Sequence, residues 1–418
     1  MRYYKIVISD PATGEVFVPN GKAGFKRTPY TTTAASYTSL IPGASVFTVG
    51  GTNPAAQMIE VDLPVGFMHL PLQNGFVKIY GVSIAEIAYA SNLNGMNIAI
   101  YGGMAKGLPL ANPNQAALLV SGQVQPAFGN WINNDQTLSF YVSISGSSPS
   151  SNQVTGQPNL AASTTPLPAT NAAPANLTWQ WTAGQTFSQA VVNALQTAFP
   201  KYKIQGATLP NLAWTSGQAD TGFFASLQQF AQYLSALSQK IIGGFLPNLT
   251  NYPGVSITLQ NNTITLGDGS VITTPKQIQF IDLIGQPTWA GQTNTVQATC
   301  RMRGDINAGD YVKMPNTPGL SAIGGSIGQG QISQASMSQY FNVQPGSTYS
   351  SPSSGSIFTG TFQVSQVRHV GNSRQPDALA WLTTLDMYLA TDAKDATVVS
   401  ALPVIYNGNS NFSYSLPQ

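Results

Sequence analysis

The stretch LTWQWTAGQTFSQAVVNALQTAFP, residues 177–200, changes its period partway along. Its first five residues alternate apolar and polar side chains, which predicts a β-strand with Trp179 and Trp181 on one face. After a glycine, Thr186 and Gln189 have the spacing of a capping box, and apolar residues then recur at helical spacing until the closing proline. The stretch therefore predicts a strand turned back onto an amphipathic helix.

A second amphipathic helix is predicted over residues 220–241, and together the two helices and the strand indicate a small α+β domain over residues 177–250. The predicted apolar face of the first helix is Phe187, Val191, Ala194, Leu195 and Ala198. That of the second helix is Phe223, Leu227, Phe230, Leu234, Leu237 and Ile241.

The segment before this domain, residues 1–145, has the alternation of an antiparallel β structure and is called the first β segment. A hairpin is predicted near its start, around the turn sequence SDPATGE. Further on, apolar and acidic residues alternate, so one sheet face is apolar and the other carries Glu60 and Asp62. The predicted inward residues are Ile59, Val61 and Leu63 on one strand and Leu138, Phe140, Val142 and Ile144 on another.

Residues 251–390 return to the same kind of pattern and are called the closing β segment. Short strands are predicted on either side of the turn pairs Asn261-Asn262 and Asp268-Gly269. A later strand places four residues on one face, namely Val296, Ala298, Cys300 and Met302. The fold class predicted is mainly β, with a smaller α+β part between two β segments.

Three stretches lack the periodicity of a packed element. Residues 146–176 are rich in Pro, Ser and Ala and are interpreted as a linker or long loop. Residues 316–356 form a Gly- and Ser-rich insertion in the closing β segment, and residues 391–418 are interpreted as a C-terminal tail.

The composition is unusually poor in charge. Charged residues make up 8% of the 418 residues, against about 25% in an ordinary soluble domain. The net charge is +2 and Lys and Arg are scattered singly, which is no electrostatic case for nucleic-acid binding. Uncharged polar residues carry the polarity instead, which favours a surface that meets other protein surfaces.

The sequence offers little support for a disulfide, a metal site or membrane association. The sequence has one cysteine, Cys300, and two histidines, so an intrachain disulfide is excluded and zinc-type spacing is missing. Cys300 is interpreted as a small buried apolar residue. Neither a secretory signal nor an apolar run of about 20 residues is found, so no stable membrane association is expected.

The sharpest catalytic motif is GGSIG, residues 324–328, with Ser326 at the centre of a nucleophile-elbow pattern. That motif requires a strand before it and a helix after it, and neither is predicted here. No acid lies between Ser326 and His369, as the usual triad order would require. A flexible loop is the favoured interpretation, with a serine hydrolase as the alternative.

Other candidate groups have equally ordinary explanations. Glu60, Asp62 and Glu86 suggest a glycosidase acid pair, but a solvated strand face explains them as well. His69 and His369 have no visible partner for general-base catalysis. The adhesion-type tripeptide of residues 303–305 lies where Gly-Asp is common turn chemistry. No catalytic, cofactor-binding or metal-binding residue is therefore predicted.

The tryptophans allow two interpretations. Exposed, coplanar aromatic rings bind sugars, so Trp179, Trp181 or Trp131 would serve in a receptor- or glycan-binding protein. The helix that follows Trp179 and Trp181 needs a surface to cover, however. Burial of this pair under the helices is the favoured interpretation.

Residues 177–200 stand between further recognisable stretches, namely NIAIYGGMAKGLPLANPNQAALLVSGQVQPAFGNW, CRMRGDINAGDYVKMP and VRHVGNSRQPDALAWLTTL. With these stretches, the order of segments resembles that of the baseplate hub proteins of tailed phages. The resemblance implies two tail-tube-like β-barrel domains, over residues 1–145 and 251–390, with residues 177–250 as a helix-containing middle domain.

The resemblance also implies a function without catalysis or cofactor. In such proteins three chains form a ring that joins the sixfold tail tube to the threefold central spike and leaves a channel for the genome. The expected partners are two further copies of this chain, tube, spike and other baseplate proteins, with viral DNA as passing cargo. The expected location is the baseplate of a virion with a contractile tail, after synthesis in the host cytoplasm.

Overall fold

The structure is a computed structural model of the chain, and it describes the residues in fifteen ranges. These are 2–67, 74–107, 111–143, 177–200, 202–206, 212–214, 219–245, 254–260, 263–267, 274–285, 287–290, 295–315, 361–389, 404–406 and 413–414. The predicted linker, the Gly- and Ser-rich insertion and most of the C-terminal tail lie outside these residues.

The described residues are mainly β with a smaller helical part, as the sequence predicts. The helices are Ile84–Tyr89 (α1), Phe187–Ala198 (α2) and Leu227–Phe245 (α3). The strands are Arg2–Ser9 (β1), Val16–Pro19 (β2), Phe25–Thr28 (β3), Tyr37–Thr38 (β4), Ile59–Phe67 (β5), Asn74–Tyr80 (β6), Asn97–Met104 (β7), Ala117–Ile132 (β8), Asp135–Ser143 (β9), Leu177–Trp181 (β10), Lys203–Gly206 (β11), Leu212–Trp214 (β12), Asp220–Phe224 (β13), Ser256–Gln260 (β14), Thr263–Gly267 (β15), Lys276–Gln277 (β16), Thr288–Ala290 (β17), Thr295–Arg301 (β18), Tyr311–Lys313 (β19), Thr361–Asn372 (β20), Trp381–Leu389 (β21), Val404–Tyr406 (β22) and Ser413–Tyr414 (β23).

The first and closing β segments share one 15-stranded sheet, called the joined sheet. Its main strand order is β17-β18-β21-β20-β5-β6-β9-β8-β7-β1-β2-β3, with β4, β16 and β19 attached beside this path. The junction is the antiparallel pairing of β5 with β20, in which Leu63 lies opposite His369. The two predicted tube-like segments are thus continuous with each other through backbone hydrogen bonds.

The strands of the joined sheet bury the faces that the alternation of apolar and polar residues predicts. Ile59, Val61 and Leu63 are buried, while Glu60 and Asp62 point away from the core. Leu138, Phe140 and Val142 of β9 are buried in the same way, and Ile144 lies outside the described residues. The predicted inward face of β18 and the residue after it is buried too, through Val296, Ala298, Cys300 and Met302.

The first β segment bends within the long strand β8. The first part of β8 pairs with β7 and its last part pairs with β9, and the register shifts between Val124 and Ala127. Such an irregularity bends a strand and increases its twist. Buried side chains of both β segments then pack in one continuous apolar cluster, from Ile6 of β1 to Leu385 of β21.

Helices α2 and α3 belong to a separate apolar core, which they build together with β10, β13 and the β11-β15-β14 sheet, whereas α1 packs against the core of the joined sheet. The elements of the separate core are called the middle module. The predicted capping box of α2 is present, with Gln189 N donating to Thr186 Oγ1 at 3.3 Å and Thr186 N donating to Gln189 Oε1 at 3.2 Å. All five residues of the predicted face of α2 are buried.

Phe223 does not lie on the second helix, and its predicted place there was wrong. It lies in β13 opposite Thr178, and 74% of its surface is exposed. The helix begins at Leu227 instead, after Ser226, whose Oγ accepts from Gln229 N at 3.2 Å. Backbone pairing with β10 therefore takes precedence over the helical spacing of this residue.

Strands β14 and β15 form a hairpin, as their alternation predicts, with Gln260 opposite Thr263. The sequence division at residue 250 assigns them to the closing β segment. Their apolar side chains, such as Ile257 and Ile264, lie in the core of the middle module, because β15 pairs in parallel with β11. The turn residues Asn261, Asn262, Asp268 and Gly269 lie outside the described residues.

Candidate functional site

Trp179 and Trp181 lie in the apolar core of the middle module. Both side chains are buried against Phe187 of α2, and Trp179 also packs against Phe230 of α3. Trp179 Nε1 donates to Asp220 Oδ2 at 3.0 Å, which satisfies its polar atom inside the core. The interpretation as a buried pair is confirmed, so these rings offer no platform to a sugar.

Arg303 and Gly304 of the tripeptide Arg303-Gly304-Asp305 are buried where the closing β segment contacts the first β segment near residues 115–118, and Asp305 is partly exposed. The Arg303 side chain is 2% exposed and donates to both carboxylate oxygens of Asp305, at 2.8 and 2.7 Å. Its Nη1 also lies 3.3 Å from Asp282 Oδ2. Burial lowers the pKa of Arg303, but the hydrogen bonds and charge of Asp305, together with the charge of Asp282, outweigh burial and raise it.

The same tripeptide is attached to the first β segment. Gly304 N donates to the Gln115 carbonyl at 2.9 Å, and Gln115 Nε2 donates to Asp282 Oδ1 at 3.0 Å. A Cβ on Gly304 would lie 2.9 Å from the backbone of Ala117, so a larger residue would force the 303–305 segment away from the start of β8. The tripeptide is therefore a structural joint and is not presented to a receptor.

His369 and Cys300 are buried beside this joint. His369 Nδ1 lies 2.8 Å from Thr383 Oγ1, and burial lowers the pKa of His369 to about 3. Burial likewise raises the pKa of the Cys300 thiol to about 12. A histidine held neutral inside the core and a protonated thiol are structural groups, as the sequence suggested for Cys300.

The candidate acids do not form a catalytic pair. Glu60 accepts hydrogen bonds from Tyr80 Oη at 2.7 Å and Asn372 Nδ2 at 2.9 Å. Asp62 is held by Arg368, and Glu86 caps α1, where burial raises its pKa against the opposing hydrogen bond from Ser83. Each carboxylate thus has a structural partner.

Of the remaining candidate residues, some lie outside the described part of the chain and one is exposed. Ser326 and His69 lie outside the described residues. Trp131 is 61% exposed at the tip of the β8–β9 hairpin, where it is available to a ligand or a neighbouring protein. Within the described ranges, no group of three His, Cys, Asp or Glu side chains could hold a metal ion. No helix in that part of the chain is long and apolar enough to cross a membrane.

Both β segments contribute polar side chains to one side of the joined sheet. The open face is defined here as the side chains of β18, β21, β20, β5 and β6 that point away from the core. Three acidic and three basic residues lie on it, namely Glu60, Asp62, Asp386, Lys78, Arg301 and Arg368. The face is therefore broad and polar with no net charge.

The open face ends in aromatic side chains at its β6 side. Phe76 lies opposite Tyr141 of β9, with ring centroids 5.3 Å apart, and Phe128 of β8 lies 6.4 Å from Tyr141. Beside Phe76, a shallow pocket of about 430 Å³ is lined by Glu60, Asp62 and residues of the 370–380 turn. These aromatic rings are half-buried or exposed, so they remain available for contacts with another surface.

Sequence reasoning identified Glu60 and Asp62 as an outward acidic pair but missed their partners. Asp62 and Arg368 are 306 positions apart, and β5 meets β20 only in the folded chain. The nearest signal is that the apolar pattern of β5 is interrupted by acidic residues and that of β20 by the basic residue Arg368.

Comparison with known proteins gives loose structural matches. Neither protein-family models nor curated protein sequences match the chain. Among solved structures, a 43 kDa tail protein of prophage MuSo2 from Shewanella oneidensis aligns at 8% identity over 82% of this chain and 99% of that chain, with a TM-score of 0.39. The tail protein from Neisseria meningitidis MC58 aligns at 10% identity over 95% and 99%, with a TM-score of 0.41. A chain of the half-lidded Francisella PdpA-VgrG complex aligns at 8% identity over 94% and 58%, with a TM-score of 0.37. Scores this low do not establish a shared fold or function.

Proposed function

We propose that this chain is a structural, non-enzymatic virion protein, the trimeric baseplate hub of a contractile phage tail. It would join the sixfold tail tube to the threefold central spike and line the genome channel. The observation that carries the proposal is the continuity of the first and closing β segments in one sheet, through β5 and β20.

The continuity supports the proposal because it gives one chain two β segments side by side. Three such chains around an axis would present six β segments to a sixfold tube while keeping threefold symmetry elsewhere. The open face, shared by both segments, is the surface we assign to the channel. The middle module would lie toward the spike or the periphery, where other baseplate proteins bind.

The composition supports the same function. Only 8% of the residues are charged, and the cores of protein interfaces are depleted in charged residues. A subunit that is surrounded by tube, spike and other copies of itself has little need of a charged surface. Location in the virion, after synthesis in the host cytoplasm, follows from this assignment.

A receptor- or glycan-binding tail protein is the second candidate, and one observation favours it. Trp131 is exposed, and Phe128 and Tyr141 form an aromatic surface on the same hairpin. Binding to a glycan array that is lost in Trp131→Ala but retained in Trp179→Phe would support this candidate. A hydrolase would instead be detected by labelling with an active-site serine reagent that is lost in Ser326→Ala.

Electron microscopy of tail particles that contain this chain tests the hub directly. We expect three copies encircling the tail axis between tube and spike, with the β segments nearer the axis than the middle module. Copies attached away from the axis, or in a number other than three, would overturn the proposal. A purified chain that stays monomeric and binds neither tube nor spike protein would also count against it.

A further inference from the structure

Arg368 on the open face is held by a carboxylate of the neighbouring strand. Its Nε donates to Asp62 Oδ1 at 2.8 Å and its Nη2 donates to Asp62 Oδ2 at 2.7 Å. The side chains remain 51% and 43% exposed, so they meet the solvent as a pair. The two parallel hydrogen bonds fix the guanidinium plane. They also occupy the Nε–Nη2 edge of the guanidinium, which would otherwise be free to bind a phosphate.

Lys78, on the next strand, is held in a second arrangement. Its Nζ lies 4.6 Å from the centroid of the Tyr80 ring, and the Tyr80 hydroxyl donates to Glu60. Glu60 lies opposite Lys78 in the pairing of β5 with β6, and Tyr80 connects the acid with the ammonium group. Asn372 of β20 completes the network by donating to the other oxygen of Glu60.

The other two charged residues of the face also have partners. Asp386 accepts from Gln297 Nε2 at 2.8 Å, and Arg301 also has an interaction partner. Free Lys and Arg side chains on a flat surface bind DNA phosphates without regard to sequence, with an affinity that falls steeply with salt. A surface along which DNA passes has to avoid such contacts, and holding each cation with a carboxylate is one way to avoid them.

We propose that the Asp62–Arg368 pair and the Glu60–Tyr80–Lys78 network keep the basic side chains of the open face from binding the phosphates of duplex DNA. This inference rests on the proposed function, since it assigns a purpose to the face that would line the channel. The partner is duplex DNA in passage, and the carboxylates act by holding the cations rather than by repelling the polyanion.

The test is the affinity of the full chain for a short linear DNA duplex, measured by fluorescence anisotropy over a range of salt concentrations. Asp62→Asn removes the charge that holds Arg368, which adds one phosphate contact. We expect affinity to rise about fivefold to tenfold at about 0.1 M salt, and the log–log salt slope to steepen by about 0.9. Glu60→Gln should act in the same direction through Lys78.

Two controls decide whether the effect belongs to this pair. Glu15→Gln changes the net charge equally in the turn between β1 and β2, at the far end of the strand order, and should leave the affinity nearly unchanged. Asp62→Asn with Arg368→Gln should return the affinity to that of the parent chain. An unchanged affinity in both Asp62→Asn and Glu60→Gln would overturn the inference.

An equal rise in Glu15→Gln would also overturn it, because net charge alone would then explain the binding. Far-ultraviolet circular dichroism of each variant shows that it is folded. The assay uses the isolated chain and does not depend on its place in a particle. The hub assignment and this inference can therefore fail separately, the first by microscopy and the second by DNA binding.

Discussion

Trp179 and Trp381 are both buried and both donate their indole N–H, but they join parts of the chain at very different separations. Trp179 donates to Asp220, 41 positions away in the middle module. Trp381 donates to the Gly103 carbonyl at 2.9 Å, 278 positions away across the two β segments. The middle module is built from neighbouring segments, whereas the joined sheet depends on contacts between the first and last thirds of the chain.

This difference predicts that the two regions lose stability in separate ways. The core of the middle module should respond to lost apolar volume, and the joined sheet should respond as well to the loss of buried polar links at its junction. Each region has its own apolar cluster, so a variant in one should leave most contacts of the other in place. The following substitutions test that separation in order of expected effect.

Trp179→Ala should have the largest effect. It should lower the free energy of unfolding of the middle module by about 5 kcal/mol, since truncation of a buried Trp costs about 3 to 5 kcal/mol. It also removes a hydrogen bond to Asp220. Urea unfolding followed by circular dichroism should show an earlier transition that does not involve the joined sheet.

The matched control is Phe223→Ala, an aromatic truncation in the strand that pairs with β10. Because Phe223 is exposed, its loss should change the unfolding free energy by no more than about 0.5 kcal/mol. Equal effects of the two substitutions would contradict the core position of Trp179.

The sequence predicted the middle module in much greater detail than the junction. The capping box at Thr186, the apolar faces and the strand at Trp179 depend on nearby residues, so local periodicity specifies them. Phe223 was misplaced because it satisfies the helical spacing, whereas pairing with Thr178 decides its position. Local pattern cannot distinguish these outcomes.

The junction could not be predicted because its partners meet only after folding. Sequence reasoning rejected an adhesion role for Arg303-Gly304-Asp305. Nothing in the sequence, however, indicated that Arg303 is buried. Nothing local indicates that Gln115 would reach Asp282, 167 positions away. The alternation that predicted both β segments is equally compatible with two separate barrels and with one shared sheet.

Arg303→Met should have the second largest effect and act on the joined sheet. It leaves the buried carboxylate of Asp282 without its cation, and breaking a buried ion pair from one side costs about 3 to 5 kcal/mol. Arg303→Lys should recover only part of the loss, because an ammonium cannot make the bidentate bond to Asp305. A stability within about 1 kcal/mol of the parent chain would refute the role of this joint.

His369 makes the stability of the joined sheet depend on pH. Its pKa in the folded chain is about 3, below the ordinary 6.5, so the unfolded chain takes up the proton first. The stabilisation from neutral His369 is complete above pH 6.5 and is lost as the pH falls toward 3. The loss should be about 1.4 kcal/mol per pH unit, or about 2 kcal/mol at about pH 5.

The measurement is the unfolding free energy from pH 4 to 8 in the parent chain and in His369→Asn, which keeps a polar atom near Thr383 Oγ1. Subtracting the two profiles removes the contribution of the other titrating groups. A difference that stays constant with pH would show that His369 is not held neutral by burial.

Arg368→Met should have the smallest effect, although Arg368 and Arg303 make the same bidentate bond to an aspartate. The side chain of Arg303 is 2% exposed and that of Arg368 is 51% exposed. Solvent screens the exposed pair, and such pairs contribute at most about 1 kcal/mol.

The small loss in Arg368→Met should shrink further in high salt, while the loss in Arg303→Met should change little with salt, because burial limits screening. A loss from Arg368→Met comparable to that from Arg303→Met would mean that the pair on the open face helps to hold the two β segments together. The carboxylate of Asp62 would then have a structural purpose that needs no passing DNA.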